Sequence, residues 1–224
     1  MKFLTLILFA MLSTDMSSQD WANLGKYKAA NEALPELQKG EKRIVFMGNS
    51  ITEGWVNMRP DFFNKNPFVG RGISGQTTPQ MLIRMRQDVL NLNPDAVVIL
   101  AGTNDIAENT GPVTLDEILD NIKSMAELAD ANGIKVILSS VLPAYDYPWR
   151  PGLEPNIKIP ALNKMIESYS KSKGYYFLDY FAEMADERNG LPKKYAEDEV
   201  HPTVLGYSVM EPLALVAIVE ALKI

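Results

Sequence analysis

The sequence contains no cysteine and a single histidine, His201. The first absence excludes disulfides, a thiol nucleophile, a thiolate metal site and a lipid-modified N-terminal cysteine. The second excludes a multi-histidine metal site, and zinc rarely takes the all-carboxylate shell that remains. An oxygen-only magnesium or calcium site stays open on composition, although no EF-hand spacing occurs. The expectation is an activity with no metal and no other cofactor. There is no basic run, and the net charge is −6. Nucleic acid, whose phosphates require a basic face, is not an expected partner. An anionic membrane surface is not expected either. Internal repeats and low-complexity linkers are also missing. What is present is an ordinary globular composition, 46% hydrophobic and 22% charged over 224 residues, enough for one domain with a buried core.

An apolar run over residues 3–12 follows Lys2 and precedes a polar stretch, residues 13–20. It is too short to span a bilayer and fits the apolar segment of an export signal. The competing reading is a buried first strand or helix. The expectation is a signal peptide over residues 1–19 and a single globular domain over 20–224. The mature chain then has no integral membrane segment and is periplasmic or extracellular. Oligomeric state is not legible.

The remainder alternates strand-like and helix-like segments. Residues 43–47 (RIVFM), 68–71, 96–101 (AVVILA), 135–142 (KVILSSVL) and 175–178 read as strands. The continuously apolar ones suit a sheet covered on both faces. Residues 78–92, 115–132, 155–173 and 203–222 read as helices, with Gly133 and Gly174 as C-caps and Pro212 disturbing the last. Such alternation predicts an α/β fold with a mainly parallel sheet, whose reactive groups sit on loops at the carboxyl ends of strands. The proline-rich stretch from Pro143 to Pro160 reads as a long loop.

Small and polar residues cluster after three of these strands. They are Gly48-Asn49-Ser50-Ile51-Thr52, Gly72-Ile73-Ser74-Gly75-Gln76-Thr77-Thr78 and Gly102-Thr103-Asn104-Asp105. Near the C-terminus lies Asp198-Glu199-Val200-His201-Pro202. Each block alone reads as a turn, a helix cap or a surface loop. Together they supply the parts of a nucleophilic site. Ser50 is the candidate nucleophile, and a serine hydroxyl needs an adjacent base. His201 offers the one imidazole. Asp198, three residues earlier, is close enough to orient it. The backbone N–H groups of Ser50 and Gly75 and the side-chain amide of Asn104 are candidate oxyanion donors.

On these blocks the sequence resembles the SGNH (GDSL-type) hydrolases, a family of esterases, lipases and acylhydrolases. The resemblance runs from about Arg43 to the C-terminal helix. The name-giving residues correspond to Ser50, Gly75, Asn104 and His201, with Asp198 as third triad member. It implies a flavodoxin-like three-layer α/β/α sandwich, a five-stranded parallel sheet in the order 2-1-3-4-5, an open site, and acyl-enzyme catalysis without a metal. Two positions depart from the family pattern. Asn49 stands where an acidic residue usually precedes the nucleophile, and Gln76 stands where Asp often follows the oxyanion glycine. Both lower the negative charge near His201. The Gly-x-Ser-x-Gly elbow of α/β-hydrolases does not occur.

The expected substrate is a small-molecule or carbohydrate ester, with acetyl as the acyl group. The oxyanion loops are built from small residues, and no spare apolar run is left to form a lid. The loop over residues 144–156 carries Tyr145, Tyr147, Trp149 and Arg150 as candidate substrate-binding groups, or as residues that pack the loop onto the domain. Glu53 and Trp55, in the helix after Ser50, are placed to line the site. The alternatives are a lysophospholipase or thioesterase for longer acyl chains, and a non-catalytic binding protein of the same fold.

Overall fold

The computed structural model of the chain describes residues 20–223. The expected export signal lies outside the described residues. Strands β1 (Ile44–Gly48), β2 (Phe68–Gly72), β3 (Ala96–Ile99), β4 (Lys135–Ser139) and β5 (Tyr176–Leu178) form one sheet in the order β2-β1-β3-β4-β5. Every neighbouring pair is parallel. The fold is therefore the expected three-layer α/β/α arrangement.

Strand alternation sorts the side chains into two cores. Val45 and Met47 of β1 point to one face with Val97, Ile99, Val136 and Leu138. That face is covered by α4 (Thr78–Asp88), α6 (Leu115–Ala131) and α7 (Pro155–Lys173), through residues such as Met85, Ile122 and Ile166. Ile44 and Phe46 point to the other face with Val98 and Ile137. There α2 (Ser50–Met58), α3 (Pro60–Asn64), α8 (Tyr180–Met184) and α9 (Val204–Leu222) close the layer, with Trp55, Phe62, Tyr180 and Tyr207 as the large groups. Two short helices complete the chain, α1 (Lys28–Glu32) and α5 (Thr103–Ile106). Burial on both faces explains why the central strands read as unbroken apolar runs.

Three expectations are corrected. The helix read over 78–92 ends at Asp88, and Leu90–Leu92 is a separate 3-10 turn closed by Asn93 at φ +48°. The proline-rich loop ends earlier than Pro160, because α7 begins at Pro155 with Pro at its first position. Pro160 sits inside that helix and cannot donate to the carbonyl of Asn156. That carbonyl accepts instead from Asn189 Nδ2 at 3.1 Å. Pro212 does not break α9, which runs continuously over 19 residues. By length and composition α9 is apolar enough to cross a membrane. Here its Tyr207, Met210, Ala214, Ala217 and Ile218 pack into the core on the sheet.

Candidate active site

The carboxyl ends of β1, β2 and β3 bring the three polar blocks to one edge of the sheet, as parallel pairing in register requires. Ser50 is the first residue of α2, and the Asn49 side chain caps the helix by accepting from Ile51 N at 3.1 Å. A capping amide does here what an acidic residue would do, without adding charge. As the first helical residue, Ser50 keeps its own N–H free of an intrahelical partner.

His201 comes from the loop before α9. Its Nε2 lies 3.0 Å from Ser50 Oγ and its Nδ1 2.6 Å from Asp198 Oδ2. The second Asp198 oxygen accepts from the N–H groups of Val200 at 3.0 Å and His201 at 2.7 Å. Glu199 makes this turn possible by adopting the left-handed region at φ +61°. Partial burial works to raise the Asp198 pKa. The donors of His201 and Val200 outweigh it and hold the carboxyl below its ordinary value. Asp198, His201 and Ser50 thus form one hydrogen-bonded chain.

Gly75 sits at φ +77° with open space where a Cβ would be. Glycine is needed there for backbone conformation rather than for close packing within the protein. Its carbonyl accepts from Asn109 Nδ2 at 3.2 Å, and the next carbonyl, of Gln76, accepts from Asn104 Nδ2 at 2.9 Å. Asn104, in α5, is buried, and Gly102 before it holds φ +123°. The Asn104 amide and the Gly75 peptide are therefore tied to one loop beside Ser50.

The departure at Gln76 has a structural role. The side chain is buried, accepts from Arg84 Nε at 2.6 Å and donates to the Ala22 carbonyl at 2.7 Å. Arg84 is fully buried, pairs with Asp88 at 3.0 Å and donates to the Gly48 carbonyl at 2.7 Å. A neutral Gln leaves the Arg84 charge to Asp88. Sequence reading missed this network, and also Asp105, which is buried and accepts from Thr78 N and Oγ1. Burial pushes the Asp105 carboxyl up, against the lowering effect of those bonds.

The four candidate binding residues separate. Tyr147 is fully buried, with its hydroxyl 2.9 Å from Thr103 Oγ1, so it presents no face to a ligand. Trp149 is 45% exposed, stacks on Tyr147 at 5.1 Å and lies 5.8 Å from the His201 ring. Arg150 is engaged by the Glu108 carbonyl and carboxylate at 2.7 and 2.9 Å. Tyr145 is exposed and covered by the Arg188 guanidinium at 4.8 Å. With Asp198 and Glu199 it lines a small cavity of about 140 Å³. Trp55 does not line the site. It is buried, stacked between Phe62 at 5.1 Å and Tyr207 at 5.7 Å.

A model of the GDSL-like Lipase/Acylhydrolase family matches residues 46–209 of the chain. A protein from Bacteroides fragilis described as an acylhydrolase is 51% identical, with TM-score 0.88 over 91% of this chain and 99% of that one. A GDSL-like lipase from Bacteroides thetaiotaomicron is 53% identical, with TM-score 0.86 over 89% of this chain and 98% of that one. An acetylxylan esterase from Xylanibacter ruminicola is 22% identical over 222 residues, 84% of this chain and 45% of that protein. The chain spans about half the length of the curated relatives it matches. Matched by the family model over most of its length, and sharing half its residues with two structures of the same kind, this chain belongs to the GDSL-like lipase/acylhydrolase family.

Proposed function

We propose that the chain is a serine carboxylic-ester hydrolase acting through an acyl-enzyme, with small acyl groups, acetyl above all, on carbohydrates or other polar alcohols as substrates. The observation that carries the reading is the Asp198–His201–Ser50 chain, with contacts of 2.6 and 3.0 Å. His201 Nε2 takes the Ser50 proton as Oγ bonds to the ester carbonyl carbon. Asp198 holds the ring with Nδ1 protonated and stabilises the imidazolium. The negative charge on the carbonyl oxygen is met by the N–H groups of Ser50 and Gly75 and the Asn104 amide. The carbon–oxygen bond to the alcohol breaks, and His201 returns the proton to the leaving oxygen. Water then repeats the steps on the acyl-enzyme and releases the acid. None of these steps needs a metal or other cofactor.

The substrate class rests on the exposed face of Trp149 beside His201. An aromatic face held flat by a buried ring suits the apolar face of a sugar better than a flexible chain. The acetylxylan esterase relative fits the same class. The test is kcat/KM along esters of rising acyl length, with Trp149→Ala as a second arm. Each methylene buried in a matching groove contributes about 0.8 kcal/mol, roughly fourfold. A short-acyl enzyme is expected to lose activity from acetyl to octanoyl, whereas a steep climb favours the lysophospholipase or thioesterase reading. Trp149→Ala is expected to raise KM for an acetylated oligosaccharide about 3- to 10-fold and to leave a chromogenic acetate ester unchanged. Absence of turnover on every ester returns the chain to a binding role.

We also propose export to the periplasm or beyond, supported by the apolar run after Lys2. Mass spectrometry of the mature N-terminus is expected to find the first residues removed. An intact N-terminus in a cytosolic fraction overturns it.

A further inference from the structure

We propose that Glu53 is a positioning residue that holds the oxyanion loop in register with the nucleophile, and that Lys26 holds Glu53. The proposal rests on the reading of Ser50 as nucleophile and Gly75 as oxyanion donor. Glu53 lies one turn after Ser50 on α2. Its Oε2 accepts from both Ser74 N at 2.7 Å and Ser74 Oγ at 2.6 Å. Its Oε1 pairs with Lys26 Nζ. One helix therefore presents the serine from its first residue and grips, from its fourth, the residue before Gly75.

The orientation of the Gly75 N–H is set by the peptide unit joining Ser74 to Gly75. On the far side that unit is anchored by Asn109 on the Gly75 carbonyl and by Asn104 on the Gln76 carbonyl. On the near side the turn is closed through Ile73, whose N–H donates to the Gly48 carbonyl at 3.2 Å and whose carbonyl accepts from Gln76 N at 3.2 Å, while the N–H and hydroxyl of Ser74 itself are both held by Glu53. The fit leaves little slack, since a Cβ on Gly72 would lie 2.3 Å from Glu53 N. Donors aimed at a developing charge are effective when they need no reorganisation, so an anchor on each side of this peptide is a catalytic requirement as well as a structural one.

A carboxylate near a developing oxyanion opposes it unless the charge is spent elsewhere. Here two Ser74 donors and the Lys26 ammonium take up the Glu53 charge. Burial works to raise its pKa, but the Lys26 and Ser74 hydrogen bonds outweigh burial and keep Glu53 ionised below the ordinary value. Lys26 belongs to a segment outside the 46–209 family match that also reaches this loop through the Tyr27 hydroxyl, on the Gly72 carbonyl, and the Ala22 carbonyl, on Gln76 Nε2. The segment acts as a strap over the oxyanion loop.

The experiment measures kcat and KM on a soluble acetate ester, and Ki for phenylboronic acid, which forms a tetrahedral adduct on the serine. The variants are Glu53→Ala, Glu53→Gln and Lys26→Met, with Ser50→Ala as control. Glu53→Ala is expected to lower kcat about tenfold or more, with KM within about twofold, and to weaken the boronate in parallel. Glu53→Gln, which keeps an acceptor for Ser74, is expected to recover most of the loss. Lys26→Met, a change at a partly exposed side chain, is expected to lower kcat severalfold. Unchanged kcat and boronate affinity in folded Glu53→Ala overturns the proposal. If that variant does not fold, unchanged values in Lys26→Met overturn it. Equal losses in the Ala and Gln variants, driven by KM, also overturn it. An inactive Ser50→Ala beside a fully active Glu53→Ala rejects the positioning role alone. An active Ser50→Ala rejects the nucleophile reading and this proposal with it.

Discussion

Ser50→Ala is expected to lower kcat by about 10⁴- to 10⁶-fold, because the acyl-enzyme route ends with its nucleophile and only binding and oxyanion stabilisation remain. The fold is expected to tolerate the change. Ser50 is the first residue of α2, its helix cap is the Asn49 side chain on Ile51 N, and alanine is a good helix former. Circular dichroism and a thermal melt on the purified variant establish this, and retained turnover in a folded protein rejects the nucleophile assignment. The pH profile provides the companion measurement. A protonated imidazole cannot accept the Ser50 proton, so kcat/KM falls toward acid as His201 becomes charged. Asp198 is held below its ordinary pKa by the His201 and Val200 donors against the opposing effect of burial, so it stays ionised through that range. The acid limb is therefore expected to follow one proton. The sign for stability is separate. A depressed carboxyl contributes to the folded state above its unfolded pKa and loses that contribution only as pH falls through the folded value. A rate that stays flat from about pH 8 to pH 5 rejects a histidine base.

Asn104→Ala is expected to cost roughly 10²- to 10³-fold in kcat with little change in KM, the magnitude found when one oxyanion donor is removed. The reason for the split is that the charge it meets develops only after Ser50 attacks. Two losses combine in this variant. The amide disappears from the charge, and the Gln76 carbonyl loses its donor at 2.9 Å. The backbone of Asn104 is held independently, since its carbonyl accepts from Asn109 N at 3.0 Å, so the α5 turn is expected to persist. The measurement is kcat and KM for the folded variant. Turnover equal to the unaltered protein removes Asn104 from the oxyanion hole.

The fold was legible because its determinants are local. Unbroken apolar runs marked β1, β3 and β4, and glycine marked the end of α7, whose bounds match the reading residue for residue. The blocks around Ser50, Gly75, Asn104 and His201 stood out because each follows a strand or precedes a helix and carries polar groups that turns alone do not require. Arg84 was within reach. It lies three residues after Met81 and four before Asp88, on the stripe that α4 buries, and a charged pair at that spacing on an apolar face is itself a signal. The fate of Tyr147 was not legible, since burial depends on Thr103, 44 positions away. Glu53 and Ser74 meet across 21 positions, and Lys26 and Glu53 across 27. Nothing in the neighbouring residues announces those partners: Glu53 and Ser74 meet because β1 and β2 end side by side, and Lys26 reaches them from the segment before α1.

The serine and histidine that touch at the site are 151 positions apart. Every strand pair in the sheet is parallel, so each pairing closes a crossover of many residues, and ordering such loops slows folding. The last helix docks at the same place, since Tyr207 of α9 donates to the Ile51 carbonyl at 2.8 Å, next to Ser50. Refolding kinetics followed by ester hydrolysis therefore report arrival of the C-terminal helix, whereas far-ultraviolet ellipticity reports helices that form from local sequence. The lag between the two signals measures the time this topology needs to bring its two ends together.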